Sequence, residues 1–585
     1  MPRHPALARS PLFASLNDAQ LDALGERMRP RTFDAGEQIC QAGDESVCIW
    51  LITGGLVHWL APTTEGAGEL LLRLRKGDVI GAQDAITHKP RLATVMAGIT
   101  TTALELDSVD FIELSQLFPQ ILINLVDTQR ERMFRANARS AEVERGEEIA
   151  LVAGTSLRGM VSRLVSAARV ASARPVTFLD RRLSFAGALT AADDLASRHA
   201  TVLIPGDLDP RTIEVLLDEV DRVVALVGSA EEAEQVGVLA KTKKGDRLEV
   251  VLVGPDAIAA SKAWPTGSKI SVVRTCQRHP DFPVCDGDLA WLARHLTRTK
   301  LGVALGAGGA KGYAHVGVLQ VLEESGYVID YAGGSSIGGF VASHLALGHD
   351  ASAINARFRA AFDADTVTSL FSTPFGGGST GVEVLTRMLR EATEEQSFSD
   401  TVIPLIIMAV DLTDRAPAPL RDGPLWEALL AALAVAGVFP PFDKDGHRLV
   451  DGLALVPVPT ASVVEDGADV VVSCNLMGAE TLERWPMGPE LEEPPPRRGR
   501  RGMLDTLLEV MDLSQLDTSS RHAALADVVI TPRFAPADWR DFNLADLFLA
   551  AGRTAALEQL PKLQSLCRPV DLDRARREEE LGSFV

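Results

Sequence analysis

Residues 301–348 read LGVALGAGGAKGYAHVGVLQVLEESGYVIDYAGGSSIGGFVASHLALG, and this stretch decides the fold of the C-terminal half of the chain. The apolar run Leu301–Leu305 predicts a buried strand, which is followed by a glycine loop and a helix. A second apolar run, Tyr327–Ala332, leads into a GxSxG turn, and Phe340–Leu347 predicts the helix after it. Strands that alternate with helices through tight turns indicate an α/β domain.

The loop after the first strand, GAGGAKG at residues 306–312, is rich in glycine at a helix start. It is not a dinucleotide fingerprint, because GxGxxG would need a glycine where Lys311 stands. Free backbone N–H groups and the positive end of a helix dipole nevertheless suit an anion, such as the oxyanion of an acyl-transfer reaction. A tight strand-to-helix turn without chemistry is the alternative.

The turn GSSIG, Gly334–Gly338, has the strand–turn–helix context of a nucleophile elbow. Such an elbow places a hydroxyl, here that of Ser336, at a helix N-terminus that stabilises developing negative charge. The alternative for Ser336 is a helix N-cap in a tight turn. A second GxSxG match, Gly377–Gly381, follows a loop instead of a strand, so Ser379 is interpreted as part of a helix start.

A serine nucleophile needs a base, and the histidines do not supply an obvious one. His447 lies in a polar turn, and His315 lies on the helix after the glycine loop, where packing or a supporting role explains it. Asp451 follows the short strand Arg448–Val450 and precedes Gly452, so its carboxylate can point into a cleft. Desolvation would raise the pKa of Asp451 and make it a base near neutral pH, whereas the alternative is a common Asp-Gly turn.

Together these motifs resemble the patatin-like phospholipases, whose pattern is a glycine-rich oxyanion loop, a GxSxG turn and a later Asp-Gly pair. The helix sequence GYAHVGVLQVLEESG and the segment WEALLAALAVAGVFPP, which begins at Trp426, also look like the family, so the resemblance covers residues 300–535. It implies hydrolysis of a lipid ester by a dyad of Ser336 and Asp451 without histidine. Ser336 would be acylated, and Asp451 would take its proton and later activate water.

The resemblance also implies the residues that support this dyad. Backbone N–H groups around Gly308, Gly309 and Ala310 would form the oxyanion hole, and losing such donors typically costs about 3–4 kcal/mol of transition-state stabilisation. The other motif residues that match the family are Gly306, Lys311, Gly312, Gly334, Gly338 and Gly452. No cofactor and no metal are expected.

Two departures from the family pattern follow Asp451. Leu453 replaces the usual glycine or alanine, and the segment LALVPVP lacks the asparagines often found there. A leucine is expected to crowd the turn and shift Asp451, and small geometric errors lower reaction rates steeply. The alternative function is therefore a weakly active or inactive scaffold or regulatory protein with the patatin fold.

We predict a multidomain protein with domains at 1–145, 150–297 and 298–585. In the first domain, short apolar alternations broken by glycines, such as Phe33–Ile39 and Leu70–Leu74, predict an antiparallel β-roll. Helices are expected to flank this β-roll at Leu16–Arg29 and Phe111–Arg135.

The middle domain has a different sequence pattern. The apolar runs Thr201–Ile204, Arg222–Val227 and Leu248–Val253 alternate with the helical segments Arg211–Val220 and Ala230–Lys241. This alternation predicts a small parallel α/β unit of Rossmann-like type. It contains neither GxGxxG nor a GxxxxGK[ST] loop, so nucleotide binding has no support there.

The N-terminal block resembles a cyclic nucleotide-binding domain through Asp78–Ala82, which reads DVIGA, and through the residues RLATV at 91–95. Gly81 and Arg91 match the phosphate-binding cassette, and Arg91 matches its phosphate-binding arginine. Ala82 stands where the family has a ribose-binding glutamate and Leu92 replaces a small hydroxyl residue, so two polar contacts of about 1 kcal/mol or more are missing. We therefore expect a docking or regulatory module and no cyclic nucleotide binding. The order of the three blocks resembles the neuropathy target esterase group, whose members hydrolyse lysophospholipids and phospholipids.

The overall charge and the cysteines limit the partners of the chain. The 585 residues include 58 Lys and Arg against 79 Asp and Glu, which gives a formal net charge of −21. This balance excludes nucleic acid as the main partner, because neutralising phosphates requires a cationic excess. Six cysteines without a CxxC pair disfavour a disulfide scaffold and a structural zinc site.

Membrane contact is expected to be peripheral. The N-terminus has two early prolines and no continuous apolar segment, and the apolar run Ala428–Phe439 is too short to cross a bilayer. We expect a cytoplasmic protein that contacts the inner membrane face and takes lysophospholipid or phospholipid as its substrate. The Arg497–Arg501 cluster would suit anionic headgroups, although a solvated loop is the preferred interpretation.

Overall fold

The computed structural model describes the chain except for residues 1–4, 35, 56, 62–68, 75–76, 98–100, 127, 129–145, 180–187, 189–190, 193–194, 197–199, 242–247, 266–269, 278–283, 372–378, 479–502, 535–536, 538–539 and 581–585. The chain divides into two compact units. The first unit comprises Met1–Arg169, Arg174–Leu289 and Ala575–Val585, and the second comprises Val170–Ala173 and Ala290–Arg574.

The N-terminal part of the first unit is an antiparallel β-roll. Its strands, β1 to β8, are Arg29–Phe33, Gln38–Cys40, Cys48–Gly54, Val57–Ala61, Glu69–Leu74, Val79–Ile80, Thr94–Ala97 and Thr101–Asp107. They form two four-stranded sheets in the orders β1-β8-β3-β6 and β2-β7-β4-β5. The predicted β-roll is therefore confirmed. The run Phe33–Ile39 is not one strand, because β1 ends and β2 begins on either side of a turn closed by Glu37 N–H and the Asp34 carbonyl.

The helices of this domain flank the sheets. They are Pro5–Arg9, Asp18–Arg27, Ala82–Thr87, Ser108–Leu117 and Gln120–Val126. The helical stretch predicted at Phe111–Arg135 is divided, because the last two of these helices are separate and bent by 109°. Residues 127 and 129–135 of that stretch lie outside the described residues. The break falls at Pro119, which lacks an N–H donor and cannot continue a helix.

The middle domain is built on one parallel sheet, as predicted. Its strands, β9 to β14, are Glu148–Ala153, Val176–Phe178, Thr201–Asp207, Arg222–Val227, Leu248–Val253 and Ser271–Cys276. Their order is β10-β11-β9-β12-β13-β14. Every residue of β12 is buried, as expected for a parallel strand that is covered on both faces. The helices along this part of the chain are Arg158–Ala171, Pro210–Glu219, Ala230–Gly237, Pro255–Ser261 and Asp286–Leu296.

The C-terminal domain has a mixed sheet with a parallel centre. Its strands, β15 to β22, are Leu301–Leu305, Ile329–Ser335, Leu405–Asp411, Ala416–Leu420, Phe442–Lys444, His447–Asp451, Val470–Cys474 and Val528–Ile530. The order is β19-β20-β17-β16-β15-β21-β22, with β18 also paired to β17. Strands β15, β16, β17, β21 and β22 run parallel, while β18 and β20 are antiparallel to β17. The carboxyl ends of β15 and β16 therefore meet at one edge, where ligands of α/β sheets commonly bind.

Helices cover this sheet and complete the predicted α/β domain. They are Tyr313–Glu324, Ile337–Ala346, Ala351–Ala361, Ala364–Phe371, Ser379–Thr393, Leu425–Ala432, Thr460–Glu465, Met503–Ala523 and Ala545–Leu566. A last helix, Leu572–Glu580, follows, and its residues from Ala575 onward belong to the first unit. Ser379 begins a helix, in agreement with the interpretation of the second GxSxG match. Among the described residues no single helix has the length and apolar character needed to cross a membrane, whereas the bent pair Ser108–Leu117 and Gln120–Val126 passes on length and composition alone.

Candidate active site

Ser336 lies at the junction between β16 and the helix Ile337–Ala346. Its backbone has φ 53° and ψ −127°, a strained conformation that is rare for a residue with a Cβ and typical of a nucleophile elbow. The turn is so tight that a Cβ at Gly334 would overlap the backbone of Gly338, and a Cβ at Gly338 would overlap the Leu305 carbonyl oxygen. Glycine is therefore required at both positions if Ser336 is to sit at the helix N-terminus.

Asp451 is the last residue of β20 and lies opposite Ala409 of β17 in the antiparallel pairing. Ser336 Oγ donates a hydrogen bond of 2.6 Å to Asp451 Oδ2, and both side chains are buried. The other carboxylate oxygen, Oδ1, accepts the backbone N–H of Leu453 at 2.8 Å. The hydroxyl and the carboxylate therefore meet at the distance that direct proton transfer requires.

The Leu453 side chain does not separate Asp451 from Ser336. Leu453 contributes its backbone N–H to the carboxylate, and its side chain is partly exposed. The N–H of Asp451 donates to the Ala434 carbonyl at 3.1 Å, and a Cβ at Gly452 would come within 2.5 Å of the Met408 carbonyl oxygen. The backbone on both sides of the carboxylate is thus held by neighbouring main chain.

Burial raises the pKa of Asp451 to about 7, while the hydrogen bonds from Ser336 and from the Leu453 N–H act in the opposite direction. Removal from water disfavours the charged carboxylate, which is the physical cause of the rise. A carboxyl group with this pKa both accepts and returns a proton near neutral pH. Among the described residues, no histidine hydrogen-bonds to Ser336 or Asp451.

The glycine loop 306–312 begins beside the elbow. Because β15 and β16 pair in parallel, Leu305 lies opposite Gly334, and the next residues of the two strands enter the loop and the Ser336 turn. A Cβ at Gly338 would also reach the carbonyl oxygen of Gly306. The two motifs therefore touch through their backbones.

The N–H groups of the loop fall into two sets. Those of Gly306 and Ala307 donate to backbone carbonyls of neighbouring segments at 3.0 and 2.9 Å. Those of Gly308, Gly309 and Ala310 have no acceptor within the described part of the chain. Three unpaired donors at the edge next to a hydroxyl are what an oxyanion hole requires.

His315 fixes the start of this loop. Its fully buried imidazole has Nε2 at 2.8 Å from the Gly306 carbonyl oxygen, so Nε2 carries the hydrogen and donates. Burial lowers the pKa of His315 to about 4, so the ring is neutral at physiological pH. The sequence placed His315 on the correct helix but did not reveal this contact, because the helix must first fold back over its own loop.

The remaining motif residues have packing roles around the loop. Lys311 Nζ lies 5.5 Å from the centroid of the Phe534 ring. Gly312 is buried, and a Cβ there would come within 2.8 Å of Ile337 Cγ1 at the start of the elbow helix. The Ser336 hydroxyl itself donates to Asp451, so these residues act on the loop and on the elbow helix.

His447 is exposed, as the sequence interpretation expected, and it directly follows the turn at Asp445 and Gly446. It is the first residue of β20, and its Nδ1 lies 2.5 Å from Asp411 Oδ2, a contact that raises the pKa of His447. Asp411, Asp414 and His447 are the one group of described residues with ligand atoms close enough to hold a metal, all within 4.8 Å. Two of the three are exposed, and the hydrogen bond accounts for the short approach.

The N-terminal cassette residues flank the helix Ala82–Thr87, with Gly81 before it and Arg91 and Leu92 after it. Gly81 has φ 79°, and Arg91 is buried against it. Ala82 packs in the hydrophobic cluster of the flanking helices, and Leu92 is exposed. The Arg497–Arg501 cluster lies outside the described residues.

Family models match two parts of the chain. The model described as patatin-like phospholipase matches residues 303–464, which include the Ser336 turn and Asp451. The model described as cyclic nucleotide-binding domain matches residues 30–117, which include Gly81 and Arg91. The two resemblances inferred from the motifs are confirmed.

The chain is similar to several known proteins at low identity. Patatin-like phospholipase domain-containing protein 6 of Mus musculus is 25% identical over 520 residues, which cover 76% of this chain and 38% of that protein. The chain thus corresponds to well under half of the mouse protein. An uncharacterised NTE family protein of Mycobacterium tuberculosis is 25% identical over 600 residues, which cover 96% of this chain and 97% of that protein. Among solved structures, the catabolite activator protein of Thermus thermophilus is 23% identical, covers 28% of this chain and 67% of that chain, and has a TM-score of 0.21.

Proposed function

Since the chain carries a patatin-like phospholipase domain after a cyclic nucleotide-binding domain and has its relatives among NTE family proteins, we propose that it is a serine hydrolase of lysophospholipid or phospholipid esters. The family indicates a lipid hydrolase, and the ester class, the substrate and the roles of individual residues are our proposal. The observation that carries it is the hydrogen bond from Ser336 Oγ to Asp451 Oδ2.

The first half of the reaction acylates Ser336. Its Oγ attacks the ester carbonyl carbon, the new C–O bond forms, and the hydroxyl proton passes to Asp451 Oδ2 over the 2.6 Å hydrogen bond. The free N–H groups of Gly308, Gly309 and Ala310 stabilise the resulting oxyanion, each donor of this kind being worth about 3–4 kcal/mol. The bond to the lipid alcohol then breaks, and Asp451 returns the proton to the departing oxygen.

The second half of the reaction releases the fatty acid. A water molecule gives its proton to Asp451 as its oxygen attacks the acyl carbon, and the same loop N–H groups stabilise the second oxyanion. The ester bond to Ser336 then breaks, and Ser336 Oγ regains the proton from Asp451. A carboxyl pKa of about 7 suits both directions of transfer, because neither protonation state is strongly favoured at neutral pH.

We further propose that the protein acts in the cytoplasm and contacts the inner membrane face peripherally. Substrates of this class reside in bilayers, so the enzyme must approach a lipid surface. A formal net charge of −21 provides no general attraction to an anionic bilayer, and contact must depend on local features.

The test combines covalent labelling with a lipid panel. A fluorophosphonate probe should label the wild type, and lysophosphatidylcholine and phosphatidylcholine should release fatty acid. Ser336→Ala should abolish both signals. Ser379→Ala is the matched control, because it removes the serine of the second GxSxG match, and it should retain both.

The outcome separates the two candidate functions. Labelling that persists in Ser336→Ala would refute the assignment of the nucleophile. Failure of pure wild-type protein to hydrolyse any lipid ester, with its fold intact, would favour the scaffold or regulatory alternative.

A further inference from the structure

The N-terminal domain contains a small pocket at its cassette. Gly81, Gln83, Asp84, Arg91 and Leu92 contribute to its lining, and its volume is about 30 Å³. Sites for nucleotide-sized ligands occupy about 300 Å³ or more. The pocket therefore holds a water-sized group and has no room for a cyclic nucleotide.

Arg91 makes this pocket an anion site. Its side chain is only 2% exposed, Nη2 donates to the Cys48 carbonyl, and the guanidinium lies 4.9 Å from the centroid of the Trp50 ring. Nε and Nη1 have no hydrogen-bond partner among the residues that the structure describes. Burying a guanidinium with unpaired N–H donors destabilises the fold unless a negative charge lies close to it.

Asp84 supplies that negative charge from within the chain. Its Oδ2 lies 3.7 Å from Arg91 Nη1, and both side chains line the same pocket. Burial raises the pKa of Asp84, whereas the charge of Arg91 and the backbone N–H of Leu92 oppose this rise. A guanidinium and a backbone N–H are the same partners that a phosphate oxygen would use.

The Arg91 guanidinium packs directly against the backbone at Gly81. Gly81 has φ 79°, and a Cβ there would overlap Arg91 Nη1, so the guanidinium lies directly on the Gly81 backbone. The two other cassette positions offer no polar group to a ligand, since Ala82 packs among the helices and the Leu92 side chain is apolar and 62% exposed. Asp84 therefore lies where its carboxylate can neutralise the Arg91 guanidinium.

We propose that Asp84 permanently occupies the anion site of the N-terminal domain, so that the wild-type protein binds no cyclic nucleotide there. A phosphate-bearing ligand would meet the Asp84 carboxylate as a like charge at short range and would have to displace it from Arg91. Removing the carboxylate frees both the guanidinium and the space, and the pocket then accepts inorganic phosphate.

The experiment titrates the full-length chain with cyclic AMP, cyclic GMP and inorganic phosphate by calorimetry. Wild type should give no binding heat with either cyclic nucleotide at millimolar concentration. Asp84→Ala should bind inorganic phosphate at least about tenfold more tightly than wild type. Asp22→Ala is the matched control, because it removes one exposed carboxylate from the same domain, and it should behave as wild type.

A second substitution tests whether the acquired phosphate binding occurs in this pocket. Adding Arg91→Gln to Asp84→Ala should abolish the acquired phosphate binding. Cyclic nucleotide binding by wild type at micromolar concentration would overturn the proposal, as would equal phosphate affinities of Asp84→Ala and Asp22→Ala, or phosphate binding that survives Arg91→Gln. Should circular dichroism show that Asp84→Ala is unfolded, Asp84→Asn, which keeps the side-chain volume, is judged by the same criterion.

Discussion

Replacing Asp451 with asparagine should abolish turnover and stabilise the fold at the same time. The amide cannot take the Ser336 proton, and loss of a general base typically lowers rates by about 10²–10⁴-fold. The same change removes a buried ionisable group whose pKa is raised from 3.8 to about 7. A residue that served only packing would not show opposite effects on rate and stability.

The size of the stability gain follows from proton linkage. Below pH 3.8 the folded and unfolded chains both hold the proton, so Asp451 does not affect stability. As pH rises toward 7 the unfolded chain ionises first, and folding is penalised by an amount that levels off at about 4 kcal/mol above pH 7. Asparagine escapes this penalty but can satisfy only one of the two donors, Ser336 Oγ–H or Leu453 N–H, which costs about 1–2 kcal/mol. We expect a net gain of about 2–3 kcal/mol at pH 8. At pH 4 the ionisation penalty falls to about 0.5 kcal/mol while the hydrogen-bond cost remains, so the variant should be about 1 kcal/mol less stable than wild type there.

The assay is calorimetric melting of wild type, Asp451→Asn and Ser336→Ala at pH 8 and pH 4, with lipid hydrolysis measured on the same samples. Ser336→Ala is the control, because it removes activity while leaving the buried carboxylate in place. It should not gain stability at pH 8. A melting temperature of Asp451→Asn at or below that of wild type at pH 8 would refute the desolvated carboxylate, and unchanged turnover would refute the dyad.

Three further predictions concern the same site. The kcat/KM of the wild type should rise with pH and level off above about 7, falling about tenfold per unit below, because Asp451 must be ionised to act as a base; a rate independent of pH from 5 to 8 would contradict this. His315→Ala should lower kcat about tenfold or more with little change in KM, since only the oxyanion loop is disturbed. His315→Gln keeps a donor for the Gly306 carbonyl and should recover part of the loss, so equal kcat values in the two variants would argue against a role of His315 in positioning the loop. Leu453→Ala should retain kcat within about threefold, whereas Leu453→Pro, which deletes the N–H bonded to Asp451, should lose about tenfold or more; steady-state kinetics on folded protein decides between them.

The fold was predictable from the sequence at three buried strands with long apolar runs. Leu301–Leu305, Arg222–Val227 and Leu248–Val253 begin and end where their apolar runs do, because such strands contain almost no polar residues. The strand Glu148–Ala153 was missed although it is fully buried, since its first residue is a glutamate. The edge strand Ser271–Cys276 was also missed, because most of its residues are exposed or half-buried and it has no buried apolar run.

The site was predictable only as far as local motifs reach. The strand–turn–helix context of Ser336 and the Asp-Gly pair at Asp451 are visible in the sequence, but these residues are 115 positions apart and only the pairing of β20 with β17 brings them together. The contacts of His315 with Gly306 and of Asp84 with Arg91 were not predicted, because they depend on where side chains point after folding.

A dyad without histidine has to obtain from the backbone what a triad obtains from its third residue, namely the orientation of the base. Leu453 N–H engages Asp451 Oδ1 and so leaves Oδ2 for the Ser336 hydroxyl, while the bond from Asp451 N–H to Ala434 fixes the strand end. Asp451 is buried at this strand end, and burial is the main cause of its raised pKa. The orientation and the basicity of the Asp451 carboxylate therefore both arise from its place at the end of β20. The residue at position 453 acts on this carboxylate through its backbone N–H. This explains how a leucine is accommodated at a position where the family usually has glycine or alanine.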